Sequence, residues 1–255
     1  MTSASTTVAL HHEIHGEPGT SPPLLLVHGG AGTIGTNWSA TIPEFARDRT
    51  VVAVELQGHG HTPHADRAYT FANSAADLAR LVDELGVGPV DVLGFSNGGP
   101  TVLTFALHRP DLVRRIVVAS GFVHRDGMVD GFWDGFDGAG VGAMPAPLAA
   151  AYRAINPDPA DLQRMFDLDV TLMREFRDWD DETLAALRAP ALFVGGDHDI
   201  VRPGHTVRMA ELVGDGRALV LPAGHGDYLG VADAGPPDPA LTAACLALVR
   251  RFLDG

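Results

Sequence analysis

Val90-Asp91-Val92-Leu93-Gly94-Phe95-Ser96-Asn97-Gly98-Gly99-Pro100-Thr101 is the stretch on which the fold of this chain turns. A short strand, Val90–Leu93, runs into a serine set between glycines. A helical stretch, Thr101–His108, follows and stops at Pro110. A G-x-S-x-G turn between a strand and a helix holds its serine in a strained backbone conformation at the top of a sheet. Glycine is needed on either side because a Cβ would clash in so sharp a turn. A serine hydroxyl becomes a nucleophile only when a base takes its proton and an acid orients that base. Ser96 is therefore a candidate nucleophile, and its partners must lie elsewhere in the chain.

On either side the chain alternates strands and helices. Upstream, Val8–Ile14 has β character, Leu24–Val27 is a strand ending in His28-Gly29-Gly30, and Val51–Val54 is a strand ending in Glu55. Asn73–Leu85 has one apolar helical face and is stopped by Gly86. Downstream, Arg115–Ala119 and Ala191–Val194 are strands, the second ending in Gly195-Gly196-Asp197-His198-Asp199. Val207–Val213 is helical, Arg217–Leu221 is a strand ending in Pro222-Ala223-Gly224-His225, and Ala240–Leu253 is a closing helix. Short apolar strands separated by helices predict an α/β fold with a mostly parallel sheet covered on both faces.

The rhythm breaks at Gly121–Gly142, which holds seven glycines with Phe122, Phe132, Trp133 and Phe136 among them. Helices follow. Asp158-Pro159-Ala160-Asp161 is an N-terminal signal for a helix running to about Phe176, and Asp181–Arg188 is a shorter one. Residues 122–188 thus read as a helical insertion, with 1–121 and 189–255 forming the core.

In this architecture the partners of the serine come later, in the order acid then histidine, at the carboxyl ends of strands. His225 is the candidate base. Asp197 and Asp199 both follow the Ala191–Val194 strand; Asp199 is preferred, because Asp197 stands where it could cap local backbone N–H groups. Acyl transfer also needs donors for a developing oxyanion. The Asn97 N–H is one. The loop His28–Gly32 should give the other, with Gly30 expected and Ala31 the alternative.

These residues carry a resemblance. His28-Gly29-Gly30, Gly58-His59-Gly60, Gly94-Phe95-Ser96-Asn97-Gly98-Gly99, Gly196-Asp197-His198-Asp199 with Pro203, and Gly224-His225 resemble the α/β-hydrolase superfamily over nearly the whole chain. The resemblance implies an α/β-hydrolase fold, supports Asp199 as the triad acid, and implies that the insertion is a helical cap over the active site. Small esterases, enol-lactone hydrolases, cofactor-free haloperoxidase-like enzymes and carbon–carbon bond hydrolases are the nearest in style. Glu55, Thr62 and Asn97 stand where many relatives have Asp, Ser, and Met or Gln. The expected activity is hydrolysis of a carboxylic ester or lactone through an acyl-enzyme, without metal or organic cofactor.

Composition narrows the field. At 255 residues with a net charge of −14, the chain has no basic footprint for nucleic acid or anionic membranes. It contains no lysine, which excludes P-loop, kinase, Ser-x-x-Lys and Schiff-base chemistry. Its single cysteine, Cys245, excludes an intrachain disulfide. Neither a signal peptide nor an apolar run of membrane length is read, so a cytoplasmic protein is expected. The sequence leaves the oligomeric state open, a homo-oligomer included.

Three rival readings are weighed. Gly30-Ala31-Gly32-Thr33-Ile34-Gly35 is a formal G-x-G-x-x-G with Glu55 placed as a ribose-binding acid, but Pro43 spoils the long helix that should follow. His59, His61, His64 and Asp66 resemble a binuclear metal motif whose spacing fails at Pro63-His64, and His11, His12 and His15 alternate faces on a strand. A hydrolase fold serving as a non-catalytic receptor is the third. Phe95, Phe122, Phe132, Trp133, Phe136 and Met144 are the expected substrate-binding apolar residues. Asp169 interrupts the apolar face of the 158–176 helix, so it either meets water or an arginine such as Arg153, or looks into the pocket and contacts substrate.

Overall fold

The computed structural model describes residues 7–255. One seven-stranded sheet organises the chain: β1 (His12–His15), β2 (Leu24–Val27), β3 (Val51–Val54), β4 (Val90–Phe95), β5 (Val113–Ala119), β6 (Ala191–Gly196) and β7 (Gly216–Leu221), in the spatial order β1-β3-β2-β4-β5-β6-β7. β1 pairs antiparallel with β3, and every other neighbouring pair is parallel. The helices follow in chain order: α1 (Ile34–Trp38), α2 (Thr41–Phe45), α3 (Phe71–Leu85), α4 (Gly98–His108), α5 (Ala146–Ile155), α6 (Pro159–Glu175), α7 (Asp181–Ala185), α8 (Pro203–Leu212) and α9 (Pro239–Asp254).

The central strands are buried from end to end, as a parallel sheet between two helical layers requires. Alternate residues serve opposite faces. Leu25, Val27, Val52, Val92 and Phe193 share a core with α3, α4 and α8, whereas Leu24, Leu26, Val51, Leu93 and Leu192 share one with α1, α2 and α9. None of the described helices is long and apolar enough to cross a membrane.

The strongest end signals work as physical chemistry expects. Gly86 closes α3 in the left-handed conformation and donates its N–H to Val82. Asp158 caps α6 through the Ala160 N–H, with Pro159 at the first helical position. The chain differs from the sequence expectation elsewhere. Strand β1 begins at His12 rather than Val8, because side chains take the backbone groups before it. Val8 N–H donates to Asp77 (3.2 Å), Arg80 donates to the Val8 carbonyl, and His11 N–H donates to Thr62 Oγ1 (2.8 Å). Helix α8 begins four residues earlier than expected, with Pro203 at its first position. Helix α5 gave too little polar alternation to be read in the sequence.

Between β5 and β6 the chain makes three short 3₁₀ turns and then α5, α6 and α7. Met144, Leu148, Tyr152, Leu162 and Met165 join α5 to α6 in one apolar cluster. Phe122, Met128, Met173 and Phe176 form another with Val201 from the core.

Candidate active site

The carboxyl ends of β2, β4, β6 and β7 bring His28-Gly29-Gly30, Ser96, Asp199 and His225 together. Ser96 follows β4 with φ +51°, a left-handed backbone that a residue with a Cβ seldom adopts. The surrounding glycines make the turn sterically feasible. A Cβ on Gly94 would overlap the Gly98 carbonyl, and one on Gly98 would overlap the Val27 carbonyl. Among the described residues, the non-glycine residues with positive φ are Ala31, Ser96 and Ser120. All three lie at this site, a clustering of strained backbone that marks it as a candidate functional site.

His225 stands between the serine and the acid. Its Nδ1 lies 2.7 Å from Asp199 Oδ1 and its Nε2 lies 3.2 Å from Ser96 Oγ. With Nδ1–H donating to the carboxylate, Nε2 carries the lone pair that faces the serine hydroxyl. Asp199 also accepts the Val201 N–H (3.1 Å) and the Ser120 hydroxyl. Burial works against its charge, but His225, Ser120 and the Val201 N–H outweigh burial and hold its carboxyl below the usual aspartate range. Ser120 gives its one proton to Asp199, so in the 2.6 Å bond between them Tyr228 Oη–H donates to Ser120 Oγ. Neither Ser120 nor Tyr228 carries a sequence signal for this role. Asp197 is turned the other way, accepting the Ala223 N–H (3.0 Å) and the His198 ring nitrogen (2.8 Å).

The two oxyanion candidates in the β2 loop now differ. The Ala31 N–H donates to Asp169 Oδ2 at 2.6 Å. Among the described residues the Gly30 and Asn97 N–H groups make no hydrogen bond. Gly30 and Asn97 line a cavity of about 340 Å³ together with Ser96.

The cavity sorts the expected substrate contacts. Phe122, Phe132, Phe136, Met144 and Asp169 line it. Phe95 and Trp133, expected beside them, are not in this lining. Phe95 is buried with its ring 4.9 Å from that of His225, so it packs against that imidazole from the core side. Trp133 stacks on Phe176 with 7° between the rings, carries the Arg125 guanidinium 4.0 Å above it, and donates to the Arg125 carbonyl. Leu148, Val170, Ile200 and Asp233 also line the cavity, from positions that periodicity alone does not separate from ordinary packing.

Asp169 finds neither bulk water nor Arg153, which is exposed on α5. Its partners are the Ala31 N–H and His59 Nε2 (3.2 Å), so α6 is tied directly to the loop after β2. Burial opposes a charge on His59, but Asp169 and the Gln57 carbonyl outweigh it and raise its pKa. His28 is held the other way. Burial and the neighbouring His59 lower its pKa to about 4, and its Nε2 accepts the Leu56 N–H at 2.9 Å.

The dinucleotide pattern is dissolved by local structure. Helix α1 has five residues, and the Glu55 carboxylate accepts the N–H groups of Ile34 (3.1 Å) and His61 (2.7 Å) instead of facing a ligand site. Among the described residues, two groups bring potential metal-ligand atoms within 4.8 Å of one another: His11, Glu55 and His61, and His124, Asp126 and His205. None of these residues lines the cavity beside Ser96. Glu55 is already engaged as described, and His205 Nε2 accepts the Val123 N–H (3.1 Å).

Residues 22–155 match the family model described as alpha/beta hydrolase fold. The chain is 39% identical over 123 residues to a 2-hydroxy-6-oxo-2,4-heptadienoate hydrolase of Pseudomonas putida, covering 45% of this chain and 44% of that protein. It is 36% identical over 105 residues to a pyrrolizixenacetamide deacetylase of Xenorhabdus hominickii, covering 41% and 40%. The matched stretches thus span less than half the length of these curated relatives. The crystal structure of an enol-lactonase from Burkholderia xenovorans superposes with a TM-score of 0.75 over 97% of both chains at 19% identity, a likeness of fold.

Proposed function

The chain belongs to the alpha/beta hydrolase fold family, and we propose that it is a serine hydrolase of carboxylic esters or lactones. The observation that supports this most is His225 held between Ser96 and Asp199, at 3.2 and 2.7 Å. Ser96 Oγ attacks the carbonyl carbon while His225 Nε2 takes its proton. Asp199 orients the ring and stabilises the imidazolium. The Gly30 and Asn97 N–H groups receive the oxyanion, a contact strongest in the transition state. His225 then protonates the leaving oxygen, which departs as the alcohol. Water, deprotonated by His225, attacks the acyl-enzyme, and its collapse releases the acid and Ser96. Residues 122–188 act as the cap, and the aromatic and methionine side chains they place in the cavity suit an apolar acyl or alcohol part.

The stretch shared with the dienoate hydrolase supports a second reading, carbon–carbon bond hydrolysis by the same residues. A panel of esters, thioesters, lactones and a 2-hydroxy-6-oxo-dienoate, each with wild type and Ser96→Ala, decides. Ester or lactone turnover abolished by Ser96→Ala is expected. Turnover of the dienoate alone would replace the ester reading with the second one.

A further inference from the structure

The charge inside the cavity is one-sided. Two carboxylates line it, Asp169 and Asp233, and among the described residues no arginine or histidine does, His225 standing behind Ser96; the chain has no lysine to supply. The remaining wall is mostly carbon, including Phe122, Phe132, Phe136 and Met144. Asp233 is exposed and can be solvated. Asp169 is not in that position, since only 12% of its side chain is accessible.

The protonation of Asp169 follows from its partners. His59 Nδ1 faces the Gln57 carbonyl at 3.0 Å, an acceptor only. His59 Nε2 faces Asp169 Oδ2, which already accepts the Ala31 N–H. Against burial, Asp169 favours the charged form of His59 and raises its pKa, so both ring nitrogens are read as donors, Nδ1–H to Gln57 and Nε2–H to the Asp169 carboxylate. A carboxylate offers about four acceptor positions. The described residues fill two on Oδ2, and Oδ1 is buried without any partner. An incompletely satisfied buried carboxylate is costly, and a donor that reached it would relieve that cost.

Its place defines what that ligand does. A Cβ built on Gly30 would stand 3.5 Å from Asp169 Oδ2 and 2.9 Å from Asn97 Nδ2, so the carboxylate borders the residues assigned to the oxyanion. Whatever part of that charge His59 leaves uncompensated repels the developing oxyanion. A cation between the two removes that repulsion and strengthens as charge develops.

We propose that Asp169 is a specificity-determining residue that receives an ammonium group of the substrate, so that the enzyme takes esters or lactones carrying a protonated amine a few atoms from the reacting carbonyl and rejects those carrying a carboxylate there. This rests on Ser96 as the nucleophile, and it deepens that reading.

The kinetic test uses an isosteric pair at pH 7, 4-nitrophenyl 3-aminopropanoate and 4-nitrophenyl butanoate, with wild type and Asp169→Asn. The wild-type kcat/KM should favour the amine by about tenfold or more, and the ratio should fall to near one in the variant. The binding test needs no turnover: phenethylammonium and 3-phenylpropanoate are titrated calorimetrically into wild type and Asp169→Asn, and the amine should bind wild type about tenfold tighter, a preference that falls in the variant. Equal or tighter binding of the carboxylate overturns the proposal, as does an amine-to-butanoate ratio unchanged in Asp169→Asn. If neither ester is hydrolysed, the ester reading fails by itself, and the binding comparison between wild type and Asp169→Asn still decides for or against Asp169.

Discussion

At the scale of single residues, Asp197 and Asp199 make the sharpest contrast. Two residues apart, they receive opposite tasks from their surroundings: one caps the Ala223 N–H, the other takes His225 and Ser120. Asp199→Asn should lower kcat by about 10³–10⁴-fold, because an amide partner favours the wrong imidazole tautomer. Asp197→Asn should cost less than tenfold. Steady-state kinetics on the same ester checks both, and a reversed order would reassign the acid. That Ser96, Asp199 and His225 come together was legible in the chain, because the chemistry proposed for them needs fixed residue types in a fixed order at strand ends. The places of Ser120, Tyr228 and His59 were not, because their contacts join positions 79, 108 and 110 residues apart. Asp169 shows as a break in an apolar face, but its partner does not, since nothing local to α6 marks the histidine it meets.

At the scale of elements, the loop after β3 shows how one side chain organises several others. Glu55 is buried and joins the start of α1 to the turn at His61. Gly60, with φ +52°, sits where a Cβ would overlap the Glu55 carboxylate. Gly60→Ala must therefore strain the turn and displace an acceptor from two N–H groups. A loss of about 2–4 kcal/mol is expected, measured as the urea midpoint at unchanged slope. A loss under about 0.5 kcal/mol would show that the contact is adaptable. Helix ends with a proline or a capping carboxylate, as at α6, are readable because the capping groups are local. The start of β1 is not, since residues of α3 and the loop at Thr62 decide it.

At the scale of the whole molecule, buried histidines make stability depend on pH, His205 and His28 in one direction and His59 in the other. Burial first, and then His124, lower the pKa of His205 to about 4. In the unfolded chain it returns to about 6.5. Between these values the unfolded chain binds more protons than the folded one, so stability rises with pH across that window. The contribution is complete above about pH 6.5 and is lost as the pH falls towards 4. For His205 it amounts to at most ~3 kcal/mol, and His28 acts in the same direction. Urea unfolding from pH 4.5 to 7.5 should show the slope, and His205→Gln should flatten it whatever its effect at pH 7. A variant with the wild-type slope would place the acid sensitivity elsewhere. The alternation of elements was legible at this scale because each central strand must be apolar on both faces. The course of residues 122–142 was not, because their glycines leave many conformations open until the aromatic cluster forms around Phe176.

The central claim, that Ser96 is a nucleophile activated by His225, is tested most directly by labelling with a fluorophosphonate and locating the adduct by peptide mass spectrometry. One adduct per chain is expected, on Ser96, absent from Ser96→Ala and formed far more slowly in His225→Asn. Wild-type protein that stays unlabelled, or a Ser96→Ala variant labelled as fast as wild type, would contradict it.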